Sequence, residues 1–341
     1  MFHRIILIVM MTLATLPVVW AQNDPAADLA KEIRGKGWLI YGARGTGGSW
    51  DLFVSRPDGS EKRNITNTPE YEEAAPRVAP DGKRMLYRRF AKGSVIDHDK
   101  WGFQGQVMIS SLDGSNAVEY GGEAEFPWAC WSPDGKQLAC LDKKGIKIVD
   151  FESKKVVREV PRKGIYQQLF WSSDGKWFCG TANHGGQSWT VVRLNAGTGE
   201  VNVVREYQNC TPDWCPDSTH IILSSRPKGQ PGDKGYGYTQ LWMCSSDGQE
   251  QKLLYGEDGG HMYGGQLSPD GQYVIFTKGP KDGSGSTGDG APMGILRMAD
   301  TPNITGESKD LRALHPTTKN GPIVWLESAW EPYWTYYEIG K

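Results

Sequence analysis

Short runs of apolar residues recur along the chain, and each follows a turn of nearly the same sequence. An apolar or aromatic residue precedes the turn, and Asp-Gly-Lys or a close variant forms its second half. Proline presets φ, aspartate bonds to its own backbone and glycine accepts a positive φ, so each copy predicts a tight turn that leads into a β-strand. The five copies, called marker turns below, are centred on Asp81, Asp134, Asp174, Asp217 and Asp270.

A second family of turns lies between the marker turns. Three of them carry Asp-Gly, and apolar runs flank each one, so every period contains four strands. Four antiparallel strands repeated every 40 to 53 residues are typical of the blades of a β-propeller. The turns of this second family are at Asp58-Gly59, Asp113-Gly114 and Asp247-Gly248, with 152–155 and 195–199 at the same station in two other periods.

The marker spacing also predicts the number of blades. Residues 331–334 repeat the Pro-x-apolar pattern that precedes two of the markers, at Pro76 and Pro212, which makes Tyr337 a sixth equivalent. The gap from Asp270 to Tyr337 is 67 residues, and the gap from Tyr337 round the ring to Asp81 is 64 when residues 1–21 are left out. Neither gap holds two periods of 40 residues, so six blades fit and seven do not.

The two ends of the repeat region predict how the ring closes. Residues 330–337 look like an innermost strand without a hairpin partner, and residues 37–41 look like a second strand without a first. If the two pair, the ring has no open sheet edge. We therefore expect an all-β, six-bladed β-propeller of four-stranded antiparallel blades, closed by the C-terminal strand pairing with the N-terminal strand.

Composition and charge narrow the class of protein further. The chain of 341 residues has 43 Gly, 14 Trp and 14 Tyr, which supply many turns and large packing groups. Its hydrophobic content of 38% excludes a multi-span membrane protein. A net charge of -2 offers no overall field for phosphates, so nucleic acid is not expected as a partner.

The first 21 residues are typical of an export signal. Arg4 precedes an apolar run over 5–16, and Val19-Trp20-Ala21 has the small-x-small form of a cleavage site. A membrane anchor is the alternative, but a span needs about 20 apolar residues and Pro17 interrupts this run. We expect a signal peptide at 1–21, a tail at 22–36, the propeller at 37–341, and a periplasmic or secreted protein with no membrane span after cleavage.

The six cysteines do not form a pattern typical of a disulfide framework or a zinc site. Cys130, Cys140 and Cys179 sit inside apolar strand-like runs, where a cysteine commonly acts as a small hydrophobic residue. A Cys130–Cys140 or a Cys210–Cys215 bridge stays open. No C-x-x-C pair occurs, and we expect no metal and no cofactor.

The marker turns carry a resemblance to a known family. The Trp-Ser-Pro-Asp-Gly-Lys repeat at 131–136 and its relatives, each with an apolar strand after it, resemble the TolB-type propellers over about residues 37–341. The resemblance implies an exported six-bladed propeller, often a platform for binding other proteins. TolB itself carries an α/β domain before the propeller, whereas only residues 22–36 precede the first strand here, so we expect the propeller without that domain.

Two groups of residues are candidates for a site. Segments that connect one blade to the next end near the central channel, so their polar groups can converge at its mouth. These candidates are Glu72, Glu73, Glu125, Tyr166, Asn209, His261 and Glu327. The long connections share one face of a propeller, and candidates on them are Asp97, His98, Trp101, Tyr236 and Tyr238.

The sequence lacks the common catalytic signatures. It contains no G-x-S-x-G elbow, no phosphate-binding G-x-x-x-x-G-K-[ST] loop and no H-E-x-x-H. We therefore expect a non-catalytic binding or scaffold propeller that engages a protein or an envelope polymer through its long-loop face. The alternative is a propeller enzyme, a polysaccharide lyase or glycosidase, with Glu72, Glu125, His261 and Glu327 at the channel mouth.

Overall fold

A computed structural model describes residues 24–96, 102–206, 208–226, 239–257, 260–279, 291–302, 304–307 and 321–340. In these ranges the chain forms one helix of nine residues, one short 3₁₀ helix and 25 strands. None of the described helices has the length and apolar character needed to cross a membrane. The predicted signal peptide lies outside the described residues, as do Asp97, His98, Trp101, Tyr236 and Tyr238.

The strands form six antiparallel sheets, each of which is one blade, as the marker turns predict. From the channel outwards, blade 1 contains β25 (Trp330–Thr335), β1 (Trp38–Arg44), β2 (Trp50–Ser55) and β3 (Arg63–Asn64). In the same direction, blade 2 contains β4 (Tyr71–Val78), β5 (Arg84–Ala91), β6 (Gln106–Ser111) and β7 (Val118–Glu119). Blade 3 contains β8 (Ala129–Trp131), β9 (Gln137–Leu141), β10 (Ile146–Asp150) and β11 (Val156–Val160).

The second half of the ring has the same order. Blade 4 contains β12 (Ile165–Trp171), β13 (Trp177–His184), β14 (Gln187–Asn195) and β15 (Val201–Arg205). Blade 5 contains β16 (Asn209–Trp214), β17 (His220–Ser225), β18 (Gln240–Ser245) and β19 (Glu250–Tyr255). Blade 6 contains β20 (His261–Leu267), β21 (Tyr273–Gly279), β22 (Pro292–Arg297) and β24 (Val324–Ser328). Six clusters of buried apolar side chains hold neighbouring blades together.

Each marker turn is held by its own aspartate. In blade 3 the Asp134 carboxylate accepts hydrogen bonds from the Ser132 hydroxyl at 2.7 Å and from the Lys136 amide at 3.1 Å. The Ser132 hydroxyl oxygen in turn accepts from the amide of Gln137 at 2.9 Å, and Gly135 has a φ of 68°. The turn therefore depends on Ser, Asp and Gly at fixed positions, and for this reason it is recognisable in the sequence.

Blade 1 is built from both ends of the described chain, as the sequence predicts. Strand β25 pairs antiparallel with β1, so that Leu39 lies opposite Trp334 and Ile40 opposite Tyr333. The Trp334 indole also donates to the carbonyl of Lys36 at 2.7 Å. Because this pairing joins the two ends, it converts an open array of blades into a closed ring.

Blade 5 has a fifth strand that the sequence pattern does not predict. Strand β23 (Thr305–Glu307) pairs antiparallel with β19, the outer strand of blade 5. In the chain, β23 lies between β22 and β24, which both belong to blade 6. The connection inside blade 6 thus crosses to its neighbour, and a 3₁₀ helix at Met298–Asp300 begins this crossing.

The predicted tail contains a docked helix, α1 (Pro25–Ile33). The Asp24 carboxylate accepts from the amide of Ala26 at 3.0 Å and caps the helix, and Pro25 occupies the first helical position. Leu29 and Ile33 are fully buried in the apolar cluster between blades 6 and 1. The helix therefore adds to the closure of the ring.

All six cysteines are free, and five of them are buried. Cys130 and Cys140 lie on the paired strands β8 and β9, one residue out of register with each other. The expectation that Cys130, Cys140 and Cys179 act as small apolar groups agrees with their burial in the contacts between blades.

The closing strand generates a stability prediction at Gly37, which has a φ of 78°. A Cβ atom there would overlap the carbonyl oxygen of Thr335 at the end of β25. We expect Gly37→Ala to lower the free energy of unfolding by about 2 to 4 kcal/mol, measured by urea unfolding. Gly35→Ala is the matched control, because a Cβ at Gly35 would meet no atom within 4 Å. Equal stability of the two variants would contradict the importance of this closure.

Candidate functional site

All six blades share one unusual backbone feature, within the inner strand in five of them and directly before it in blade 3. The residue six positions before each marker has a positive φ, between 48° and 59°, although five of the six are not glycine. The ladder between inner and second strand shifts register at this point in five blades, which is the mark of a β-bulge. The six residues are Ala75, Trp128, Gln168, Thr211, Gly264 and Glu331. The last of them confirms Tyr337 as the sixth equivalent of the markers.

The bulges connect neighbouring blades around the channel. The amide of Thr211 in blade 5 donates to the side-chain oxygen of Gln168 in blade 4 at 3.0 Å. The amide of Gly264 in blade 6 then donates to the hydroxyl oxygen of Thr211 at 3.2 Å. At each of these two contacts, a backbone amide at the bulge of one blade donates to a side chain at the bulge of the preceding blade. Hydrogen bonds between blades therefore hold the strained backbone in place.

The channel widens into a cavity of about 600 Å³ on the face of the marker turns. We call this cavity the turn-side funnel. Prolines and tyrosines of the turns form its rim, namely Pro80, Pro133, Pro216, Pro269, Tyr336 and Tyr337. Its wall is largely aromatic, with Trp131, Phe170, Trp171, Trp214, Tyr333 and Trp334. The funnel is built from regular strands and short turns, so its shape is fixed by the fold.

The tryptophans of the wall offer ring surfaces rather than free hydrogen-bond donors. The Trp131 indole donates to the carbonyl of Arg77 at 3.1 Å, and the Trp214 indole donates to the carbonyl of Phe170 at 3.3 Å. The Trp171 indole donates to Gly175 within its own turn at 3.0 Å. Because these indole donors are already engaged, the tryptophans can contact a ligand mainly through apolar surface.

The floor of the funnel carries the polar groups. Arg77 extends from blade 2 and lies over the ring of Phe170 in blade 4, with 4.7 Å between the guanidinium carbon and the ring centre. Below it the lumen narrows to a space of about 20 Å³, which Gln168, Thr211 and Glu331 help to line. Arg77 therefore lies across the channel where the wide part ends.

Asp213 in blade 5 is the second charged group of the floor. Its carboxylate accepts from the amide of Trp214 and from the side-chain amide of Gln266 in blade 6, both at 2.8 Å. The oxygen of Gln266 accepts from the amide of Trp334 in blade 1 at 3.3 Å, so one chain of bonds spans three blades. Burial raises the pKa of Asp213, while nearby Arg77 acts in the opposite direction.

Two of the predicted channel-mouth residues, Glu72 and Glu73, lie at the opposite end of the inner strands. The Glu72 carboxylate is buried and accepts from the amides of Trp50 at 2.6 Å and Gly93 at 2.9 Å. Glu73 is fully buried, and its burial raises the pKa to about 7, although the hydroxyls of Thr66 and Thr68 lower it. Both side chains lie within the protein, and the contacts of Glu72 support neighbouring backbone.

The candidates from blades 4, 5 and 6 are also enclosed at this end. Asn209 is fully buried and donates to the carbonyl of Glu206 at 2.9 Å, while Tyr166 is half-buried at the start of β12. The Nδ1 atom of His261 lies 3.0 Å from the Thr239 hydroxyl oxygen. Burial, with a smaller effect of Arg226, lowers the pKa of His261 to about 4, so its imidazole is neutral at pH 7.

The last two candidates are exposed. The Glu125 carboxylate accepts from the amide of Gly122 at 2.6 Å within its own loop. Glu327 lies on β24, the outermost strand of blade 6, and its carboxylate is 2.8 Å from the Lys62 ammonium group. Glu327 therefore does not reach the channel mouth, because the crossing from the outer strand to the next inner strand occurs after it, at residues 328–330. Over the described part of the chain, no three His, Cys, Asp or Glu side chains are grouped as a metal site requires.

The floor residues were missed by the sequence reasoning, although a signal for them exists. Arg77, Asp213 and Gln266 each lie four positions before a marker, and Phe170 occupies the same position in blade 4. Most of the predicted channel-mouth residues lie eight or nine positions before a marker, toward the other end of the inner strand. The four residues at this position, an Arg, a Phe, an Asp and a Gln, differ in chemical type. They therefore form no motif that the sequence would reveal.

The buried carboxyl of Glu73 generates a prediction about pH and stability. Its pKa is raised on folding, so its stabilising contribution is complete below the unfolded value near 4.5 and is lost as pH rises through about 7. We expect Glu73→Gln to be more stable than the wild type by about 2 to 4 kcal/mol at pH 8, and this gain to disappear near pH 4.5. Urea unfolding across this pH range measures the difference.

Glu72→Gln is the matched control, since it makes the same change one residue away. Its carboxylate accepts two backbone amides, so the variant should lose about 1 to 2 kcal/mol at neutral pH. A Glu73→Gln variant with the same stability difference at both ends of the pH range would contradict the account of Glu73.

Comparisons with known proteins agree with this architecture. No protein-family model matches the sequence, and no curated protein has a significantly similar one. TolB from Acinetobacter baumannii is similar in structure, with a TM-score of 0.58 and 17% identity over 88% of this chain and 66%, just under two thirds, of that chain. A TolB from Agrobacterium tumefaciens, described as putative, has a TM-score of 0.56 and 18% identity over 86% of this chain and 90% of that one. A chain of the nidogen/laminin complex has a TM-score of 0.55 at 9% identity. Likeness at these identities concerns the fold, and the chain is a six-bladed β-propeller with a TolB-like fold.

Proposed function

We propose that this protein is an exported, non-catalytic propeller that binds a segment of a partner protein in the turn-side funnel. The observation that carries the proposal is the cavity of about 600 Å³, with aromatic walls and a polar floor, at the centre of a rigid ring. Concave, mostly apolar sites with a few fixed polar groups are typical of binding pockets. Export rests on the charged and apolar pattern of residues 4–21.

The rigidity of the funnel favours it over the long-loop face as a binding surface. Its rim consists of marker turns whose aspartate and serine side chains are bonded within the turn, as in blades 3, 4 and 6. A preformed site loses little conformational entropy on binding, and more of the contact energy then contributes to affinity. Two exposed tyrosines, Tyr336 and Tyr337, add contact area at the rim.

The geometry of the residues named for an enzyme favours binding over catalysis. A lyase or glycosidase needs its acidic groups around one substrate position. Glu72 is engaged by two backbone amides, Glu327 pairs with Lys62 at the outer edge of the ring, and His261 is buried. These groups already serve the protein's own structure.

The proposal is tested by attaching a bulky group at either end of one blade. Ser173 is exposed and lines the funnel, whereas Ser188 is exposed at the opposite end of blade 4. Ser173→Cys and Ser188→Cys would each be labelled with a polyethylene glycol maleimide, with the labelled wild type as the control for its own cysteines. The readout is capture of partner proteins from an envelope extract, identified by mass spectrometry.

We expect the label at position 173 to abolish capture of proteins that the unlabelled variant retains, and the label at position 188 to leave that capture unchanged. Loss of capture only with the label at position 188 would assign binding to the long-loop face. Capture that neither label affects would contradict binding at either end of the channel.

A further inference from the structure

Arg77 supplies the turn-side funnel with a hydrogen-bond donor that is still free. Its Nη1 atom donates to the carbonyl of Pro76 at 2.7 Å, and its Nε atom is enclosed by protein, whereas its Nη2 atom is accessible and makes no hydrogen bond with the described residues. Contact with the ring of Phe170 holds the guanidinium across the lumen. A carboxylate that reaches the floor can therefore accept a charge-assisted hydrogen bond from Nη2.

The other polar groups of the floor are already engaged. Each oxygen of Asp213 accepts one hydrogen bond, from Trp214 and from Gln266. The backbone amides of the bulges at Thr211 and Gly264 are occupied by side chains. Around these bulges the floor therefore does not offer the cluster of free amides that commonly holds a chain-terminal carboxylate.

We propose that Arg77 binds the carboxylate of an acidic side chain, Asp or Glu, that a partner segment inserts to the floor of the turn-side funnel. The inference rests on the proposed function and adds to it the chemistry of the partner. A guanidinium presents a fork of donors that matches a carboxylate, and the surrounding aromatic wall receives the apolar neighbours of the acidic residue. The narrowing below Arg77 stops the inserted side chain at this depth.

Asp213 makes this binding depend on pH. The charged groups that act on Asp213 are Arg77 on β4 and Glu331 on β25, and Gln266 on β20 donates a hydrogen bond to it. The other titratable groups that face it are Tyr333, Cys130, Cys179 and Cys215, whose raised pKa values leave them neutral near pH 7. Arg77 favours the ionised form of Asp213, while burial and Glu331 favour the protonated form. A ligand carboxylate on Arg77 adds a second negative charge and raises the pKa of Asp213 further. Binding then takes up a proton, so affinity rises as pH falls, down to the pH at which the ligand itself is protonated.

The test uses the full chain and a displayed library of random peptides. Peptides are selected on the wild type, and only those that fail to bind protein labelled at Ser173→Cys are kept as funnel binders. The strongest binder, its Asp→Asn or Glu→Gln analogue and its C-terminally amidated form are then synthesised. Isothermal titration calorimetry measures each affinity at about pH 5.5 and about pH 7.5.

We expect the acidic peptide to bind at least about 10-fold more tightly than its amide analogue, the difference expected for one charge-assisted contact. Arg77→Gln should remove this preference and Arg77→Lys should keep part of it. Lys83→Gln is the matched control, because it removes a positive charge from an exposed marker turn on the same face. Asp213→Asn should bind the acidic peptide more tightly at pH 7.5 and should lose the dependence on pH.

The outcomes separate this inference from the proposed function. Funnel binders that lack an acidic residue, or that bind Arg77→Gln equally well, would overturn the inference and leave the funnel as a binding site. Binding that is lost on C-terminal amidation would also overturn it, in favour of a terminal carboxylate. The absence of any funnel binder would overturn the proposed function itself. Should Arg77→Gln fail to fold, unchanged affinity and pH dependence in Asp213→Asn would overturn the inference.

Discussion

The left-handed residue at the inner strand of each blade, which forms a bulge in five of the six, is the constraint on which the centre of this molecule depends. Five residues other than glycine hold a left-handed backbone there, and Thr211 is β-branched, for which this conformation is a strong outlier. Each such residue costs on the order of 1 to 3 kcal/mol, and the cost is tolerated only where surrounding contacts determine the backbone. In blades 4, 5 and 6 those contacts come from the neighbouring bulges, so the ring and the bulges stabilise each other.

The bulges also separate the channel into two regions of different character. Toward the marker turns, the residues after each bulge line an open funnel with Arg77 and Asp213 at its floor. Toward the long connections, Glu72, Glu73 and His261 are buried among the blades. The same inner strands thus provide an accessible binding end and an end whose polar groups act within the protein.

How much the sequence reveals depends on whether a feature needs particular residue types. The marker turns need Asp and Gly, so they are recognisable in the sequence. The spacing of the markers from Asp81 to Tyr337 therefore predicts the blade count and the closing strand. Strand β23 could not, because Thr305–Glu307 has neither β-branched enrichment nor alternation to distinguish it from a loop. The start of helix α1, Asp24-Pro25, is recognisable in the sequence. The burial of its two apolar residues is not, because it depends on the cluster between blades 6 and 1.

The floor of the funnel shows a different limit. Arg77, Phe170 and Asp213 occupy equivalent positions yet share no chemistry, so repetition locates the position while saying nothing about what it does. Their relation is spatial, since Arg77 of blade 2 reaches the ring of blade 4 across the lumen. Glu327 shows the opposite error: its position near the start of the last inner strand predicts a place at the channel mouth, whereas it lies at the outer edge of blade 6.

The addition of strand β23 to blade 5 affects the order in which the blades can be completed during translation. A ribosome releases the chain from the N-terminus, so β16 to β19 emerge well before Thr305–Glu307. Until that point the nascent blade 5 presents an uncovered outer strand, and blade 1 still awaits Trp330–Thr335. Two sheets on different parts of the ring are therefore completed only by strands that follow residue 304, so both exposed sheet edges persist until these strands have been synthesised.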